Sequence, residues 1–268
     1  MSRNILMLGT GHATATNCYN TCFLINNEDS PLLIDSGGGN GILSQFERSH
    51  TSFKCLHDMF ITHAHTDHIL GAVWVIRKIA SMVYSGEYRG PFHIYASSKS
   101  IDLLDYVCCA TLFSDYIEIY KSNIQYIPIE EGRCYDICKI QMTFFNLHSH
   151  KLEQYGFKGV FKDGFQLTCL GDEPLHEECR PFVKGSDLLM CEAFCLYRDA
   201  SLFHPYRKHH STARDAAMEA EKSEVKSLLL YHTEDKNLKH RKELYTQEAE
   251  SHFHGEVFVP DDLERIYF

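Results

Sequence analysis

His63-Ala64-His65-Thr66-Asp67-His68 places three imidazoles and one carboxylate within six residues. The apolar run Met59-Phe60-Ile61-Thr62 precedes it, and a second apolar stretch, Ile69 to Ile79, follows. A short apolar run before a polar cluster is the pattern of a buried strand, and the longer stretch after it has the length of a helix. The cluster is therefore expected on a strand-to-helix loop, where an α/β sheet presents ligands at the carboxyl ends of its strands. His63 and His65 alternate on an extended backbone, so both can reach one metal. Asp67 and His68 lie past the turn and can reach a second. Imidazole and carboxylate are the ligands zinc takes at sites that keep a position open for water. A purely structural role is the poorer reading, because several buried side chains without partners would each cost about 1–3 kcal/mol.

The 268 residues are enough for one large α/β domain, expected to span 1–268. Apolar residues make up 44% and charged residues 23%, the balance of an ordinary globular protein. No apolar stretch reaches the length of a membrane span. Met1-Ser2-Arg3-Asn4 runs straight into the strand-like Ile5 to Leu8 without a signal-peptide pattern. The eleven cysteines are odd in number and contain no Cys-x-x-Cys pair. Cys169, Cys191 and Cys195 sit in apolar runs, where thiols pack as small hydrophobes. That usage suits a reducing cytoplasm and not a disulfide framework. The formal net charge of −10 argues against broad nucleic-acid binding, which needs a basic face. Arg207-Lys208-His209-His210 and Lys239-His240-Arg241-Lys242 are the two local basic patches, and the second is expected to be a solvated face.

Strands are expected at Ile5–Leu8, Cys22–Ile25, Pro31–Ile34, Phe92–Ala96, Asp187–Cys191 and Val225–Tyr231. Ile124–Ile129, Tyr135–Ile137 and Ile140–Leu147 alternate like hairpin strands. Phe157–Phe161 and Phe165–Leu170 flank Lys162-Asp163-Gly164, whose Asp-Gly step favours a hairpin turn. Helices are expected at Ile42–Glu47, Ser98–Ala110, Ser211–Lys222 and Leu238–Ala249. Two strand-rich halves, each followed by helices, suggest two sheets with helices outside. Further ligands can be sought at other strand ends. His150 follows Ile140–Leu147, Asp172 follows Phe165–Leu170 in Gly171-Asp172, and His232 follows Ser227–Tyr231. Each alone is weak. In series behind the opening motif they suggest two metals, and an Asp between two cations can bridge them.

With these residues in place the chain resembles the metallo-β-lactamase superfamily and, within it, the ribonuclease Z-like branch. The resemblance runs from Leu8-Gly9-Thr10-Gly11 and Leu33-Ile34-Asp35 through His63–His68, His150 with Tyr155-Gly156, and Gly171-Asp172, to His232. It implies an αββα sandwich of two mixed sheets with helices outside. It also implies two Zn²⁺ ions, with manganese or iron as alternatives: His63, His65 and His150 on one, Asp67, His68 and His232 on the other, Asp172 bridging. His148 is a neighbouring candidate, and the family spacing to Tyr155-Gly156 favours His150. The resemblance places Asp35 as a hydrogen-bond partner of a ligand.

His210-Ser211-Thr212-Ala213 looks like the His-Ser-Thr loop of ribonuclease Z and related phosphodiesterases. Leu188 to Ala193 resembles the strand that carries the glutamate paired with that histidine, here Glu192. Ser211 or Thr212 would also cap a helix, which explains the hydroxyls but not the histidine. A His held by a Glu can stabilise phosphoryl charge and donate a proton to a leaving alkoxide. The implied function is phosphodiester hydrolysis, of RNA or a small phosphodiester, by a metal-bridging hydroxide, with Asp67, His210 and Glu192 as catalytic residues. A thioester, lactone or other carbonyl substrate is the alternative, and a non-catalytic metal-binding protein a more distant one. Twenty-one residues separate His150 from Asp172, too few for the long arm with which ribonuclease Z grips transfer RNA. Gly71-Ala72-Val73-Trp74, Thr233-Glu234-Asp235-Lys236 and His12 also depart from that pattern. The expected protein is cytoplasmic, without a membrane partner, and a homodimer is compatible with it.

Overall fold

All six residues of β1 (Asn4–Gly9) are buried, so this strand is covered on both faces, as its unbroken apolar run requires. The computed structural model describes residues 3–28 and 30–268. Those residues divide into two units. The first comprises the chain through Gly9, Tyr19–Glu130 and Asp262–Phe268. Its seven-stranded sheet adds β2 (Cys22–Asn27), β3 (Ser30–Ile34), β4 (Asp58–Phe60), β5 (Phe92–Ala96) and β6 (Ile124–Pro128) on one side of β1. A last strand, Arg265–Tyr267, pairs on the other side. β1, β2 and β3 are antiparallel, whereas β3 through β6 are parallel. Parallel neighbours need crossovers, usually helical. These are α1 (Gly41–Arg48), α2 (Thr66–Tyr84), α3 (Ser98–Thr111) and α4 (Ser114–Asn123). Ala72, Val75, Ile76 and Ile79 of α2 join Leu24, Leu33, Met59 and Ile94 of the sheet in one core.

The second unit comprises Thr10–Cys18 and Glu131–Asp261. β7 (Cys134–Ile137), β8 (Ile140–Asn146), β9 (Tyr155–Val160) and β10 (Gln166–Cys169) form an antiparallel meander. β10, β11 (Leu188–Glu192), β12 (Ser227–Tyr231) and β13 (Glu256–Phe258) run parallel. The final strand of the chain, in the first unit, is β14. The crossovers carry α5 (Arg180–Val183), α6 (Ala200–Phe203), α7 (Ala213–Lys222) and α8 (Arg241–Glu250). Ala213, Ala216, Ala217 and Ala220 give α7 a small-residue face against Leu189, Cys191, Leu228 and Leu230. All eleven cysteines are free thiols. Among the described residues no helix is long and apolar enough to cross a membrane.

Three expectations need correction. Ile124–Ile129 does not form a hairpin with Tyr135–Ile137. It becomes β6, parallel to β5 in the other sheet, because alternation shows which faces are covered but not which strand lies alongside. The helix expected from Ser211 starts at Ala213, behind Thr212 as its cap. Arg241 is not on a solvated face. It is buried, and donates to Thr10 and Thr233 hydroxyls at 2.8 and 3.1 Å, to the Pro260 carbonyl at 2.7 Å and to Asp261 at 2.9 Å. A guanidinium can be buried only with such partners.

Gly71 shows how tightly the opening motif is seated. A Cβ there would lie 1.9 Å from the carbonyl oxygen of Ser36, and the Gly71 amide donates to the Gly37 carbonyl at 2.9 Å. A side chain would have to push α2 off the loop after β3. Overpacking of this kind costs about 1–3 kcal/mol, so Gly71→Ala should lower the unfolding free energy from urea denaturation by that amount, seen as a lower midpoint at an unchanged slope. An unchanged midpoint would show that the loop yields freely.

Candidate metal centre

In the first unit the carboxyl ends of β3 and β4 meet at one carboxylate. Asp35 sits just past β3 in a left-handed conformation, φ 54°. Its Oδ1 accepts the Thr62 amide at 2.8 Å; its Oδ2 accepts the Thr62 hydroxyl at 2.7 Å and lies 2.7 Å from His68 Nδ1. The Ser36 amide and hydroxyl donate to the His68 carbonyl at 3.0 and 2.8 Å. His65 is the residue preceding α2 and Asp67 lies in its first turn, where the helix dipole favours an acid. The His63 ring stands 4.5 Å from that of His65 and 4.2 Å from that of His68, with His63 Nε2 2.7 Å from His65 Nδ1. Burial opposes a charge on His68, but Asp35 and Asp67 outweigh it and hold the pKa well above the ordinary imidazole value. With Nδ1 held by Asp35, Nε2 faces Asp67 Oδ2 at 3.4 Å. The loop expected to carry four ligands therefore brings all four together.

In the second unit, residues past β10, β11 and β12 converge at the carboxyl ends of parallel strands. Asp172 follows β10 and His232 follows β12; both are buried, and His232 adopts φ 57°. Ligand atoms of Asp172, His210 and His232 all lie within 4.8 Å of one another. The His232 Nε2 to Asp172 Oδ2 distance is 3.9 Å. Glu192 ends β11 and is fully buried. Its Oε1 accepts the Ser211 amide and its carbonyl accepts the Ser211 hydroxyl. Its Oε2 faces His210 Nδ1 at 3.6 Å, and among the described residues neither atom has a hydrogen-bond partner. Thr212 takes the capping role, accepting the Asp215 amide at 3.3 Å and donating to Asp215 at 2.7 Å. Ser211 and Thr212 are thus accounted for by local structure, and His210 is not. The donor set in both units is largely buried imidazole and carboxylate, with His65 half-buried, which fits a divalent metal of the zinc class.

His150 stands apart from this group. It is exposed, with its ring 6.1 Å from His176 and 5.8 Å from His209. His148 is also exposed, at φ 56°. Lys151 was not anticipated. Its Nζ lies 2.9 Å from Glu173 and 3.5 Å from Asp172, and although burial works against its charge, these carboxylates raise its pKa. Only its place beside His150 could have drawn attention to it. His12 is half-buried, and burial, His232 and Lys208 push its pKa down to about 4.

The family described as Anti-Pycsar protein Apyc1 matches residues 3–253. The chain belongs to that family. It is similar to ribonuclease Z of Haloferax volcanii, 25% identical over 313 aligned positions that cover 99% of this chain and 95% of the relative. The aligned length exceeds 268, so the relative carries segments this chain lacks. The metallo-beta-lactamase fold protein YhfI from Bacillus subtilis superposes with a TM-score of 0.81 at 17% identity, over all of both chains. The short form of human tRNase Z superposes with a TM-score of 0.75 at 20% identity, over 98% of each. The fold is the metallo-β-lactamase fold, and the chain is a ribonuclease Z-like, metal-dependent hydrolase of that superfamily.

Asp35 provides a direct test. Partners that orient metal-binding histidines typically contribute about 10–100-fold in metal affinity. Asp35→Asn should weaken zinc binding by that factor in a chelator competition titration. Wild-type affinity would mean that Asp35 serves the turn alone.

Proposed function

We propose that the chain is a dinuclear phosphodiesterase acting on small phosphodiesters. In this reading His63 and His65 would hold one ion, joined by His150 once its exposed side chain turns inward, Asp67, His68 and His232 would hold the other, and Asp172 would serve both, within a single hydrolase domain. When bound, two such ions bring the pKa of water to about 7 and offset charge on the phosphoryl group. Asp67 accepts a hydrogen bond from the attacking water and orients it. As the new oxygen–phosphorus bond forms, the ester bond opposite it breaks. His210 then delivers a proton from Nε2 to the departing alkoxide, while Glu192 faces Nδ1 and fixes the ring.

The observation that carries this reading is the buried Glu192–His210 pair, 3.6 Å apart and beside Asp172 and His232. Helix capping leaves this pair unexplained, and a carbonyl substrate has less need of it, because expelling an alkoxide from phosphorus calls for an acid. A cavity of about 220 Å³ lies against His210 and Ser211, room for a small organic group. The net charge of −10 and the short His150–Asp172 segment favour small substrates over transfer RNA precursors.

The test is leaving-group dependence. General acid catalysis contributes about 10²–10⁴-fold. His210→Ala should lower kcat by that order for a nucleotide phosphodiester, linear or cyclic, and far less for bis-p-nitrophenyl phosphate, whose leaving group departs unaided. Glu192→Gln should show a smaller loss of the same kind, and the double variant should be little worse than His210→Ala. Equal losses on both substrates would rule out the acid role. Unimpaired variants, together with faster turnover of a thioester, would move the function to a carbonyl substrate.

A further inference from the structure

His12 has no part in the chemistry above, yet the structure holds it firmly. Its amide donates to the Thr233 carbonyl at 3.1 Å, and the Thr233 amide donates to the Thr10 carbonyl at 3.0 Å. The far end of the same loop is pinned to Asp235, whose Oδ2 accepts the Thr16 and Asn17 amides and the Asn17 side chain at 2.7, 2.9 and 3.0 Å. The loop is thus fastened at both ends to the segment that begins at His232. The His12 ring packs at 4.8 Å against Phe194 and approaches His232 edge-on at 6.5 Å. Phe194 also stacks on His210 at 5.0 Å, and Lys208 Nζ lies 4.5 Å from the centre of the same ring. One buried aromatic ring therefore gathers His12, Lys208 and His210.

The tautomer of His12 follows from geometry. The Thr14 amide donates to His12 Nδ1 at 3.3 Å, so Nδ1 carries the lone pair and the ring proton sits on Nε2. Around Phe194 stand three groups that can each donate a hydrogen bond, His12, Lys208 and His210. A phosphoryl group has several oxygens that gain charge in the transition state, and donors aimed at them lower the barrier.

We propose that His12 is a further catalytic residue, donating from Nε2 to a non-bridging phosphoryl oxygen, with Lys208 as a second donor to the same group. This rests on the phosphodiesterase reading. It gives that site a discriminating element, because a donor set spread over several oxygens suits a phosphoryl centre better than the single oxygen of a carbonyl.

Three variants test it in the metal-loaded protein. His12→Gln places an amide N–H near the position of Nε2, His12→Asn places one near Nδ1, and His12→Ala has neither. Loss of one hydrogen bond to an anion corresponds to about 10–100-fold. His12→Ala and His12→Asn should lower kcat/KM for a phosphodiester by that factor and weaken calorimetric binding of inorganic phosphate about tenfold, with metal content unchanged. His12→Gln should stay within about threefold of wild type on both measures. The proposal is overturned if His12→Ala matches wild type, if His12→Gln is as damaged as His12→Ala, or if all three variants lose metal, which would make His12 a prop for His232. A wild-type protein that leaves phosphodiesters intact, but whose phosphate affinity follows the His12 series, would refute the phosphodiesterase reading and not the donor role.

Discussion

The Asp35 carboxylate is the interaction on which the first half of the site depends. Its two oxygens take the Thr62 amide, the Thr62 hydroxyl and His68 Nδ1, all within 2.8 Å. That one group fastens the loop after β3 to the loop after β4 and aims the His68 ring on α2. A buried carboxylate needs this many partners, since removing one side of a buried charge pair typically costs about 3–5 kcal/mol. The left-handed φ at Asp35 is part of the same constraint: the chain must turn sharply after β3 for both oxygens to face β4. Gly71 completes the arrangement by letting α2 approach the Ser36 carbonyl where any side chain would collide.

The second unit solves the same problem with different residues. His232, like Asp35, takes a left-handed backbone immediately after a parallel strand. Glu192 plays the anchoring part, binding Ser211 through both side chain and main chain and so setting where His210 stands. The buried Arg241 ties Thr10 and Thr233 to Pro260 and Asp261, bracing the start of the His12 loop and the residue next to His232. In both units the candidate ligands sit at or just past strand ends or in the first turn of the following helix, and at His68 the contact with Asp35 decides which ring atom faces Asp67.

Much of this was legible in the sequence, for identifiable reasons. Four ligand-type residues in six positions, between two apolar runs, fixed both the loop and the helix after it. Phe92–Ala96 was recovered at its observed limits because turn signals bound it on both sides. Strand partners were not legible: the alternation of Ile124–Ile129 is satisfied equally in a hairpin or beside β5, and only long-range pairing chooses. α4 was missed because its buried side is narrow, with Tyr120 its only fully covered residue. β13 and β14, three residues each, are too short to show a period. Arg241 looked like part of a charged run because none of its four partners lies within that run. Lys151 gave no local sign beyond its place beside His150, since its importance comes from Glu173 and Asp172 some twenty residues on.

The central claim is that two metal ions act together on a phosphodiester. It is tested most directly by titrating zinc into metal-free protein while following bis-p-nitrophenyl phosphate hydrolysis and bound metal on the same samples. The account predicts that activity stays low through the first equivalent, rises with the second and stops rising at two per chain. Full activity at one equivalent, or two bound ions with no phosphodiester turnover, would contradict it.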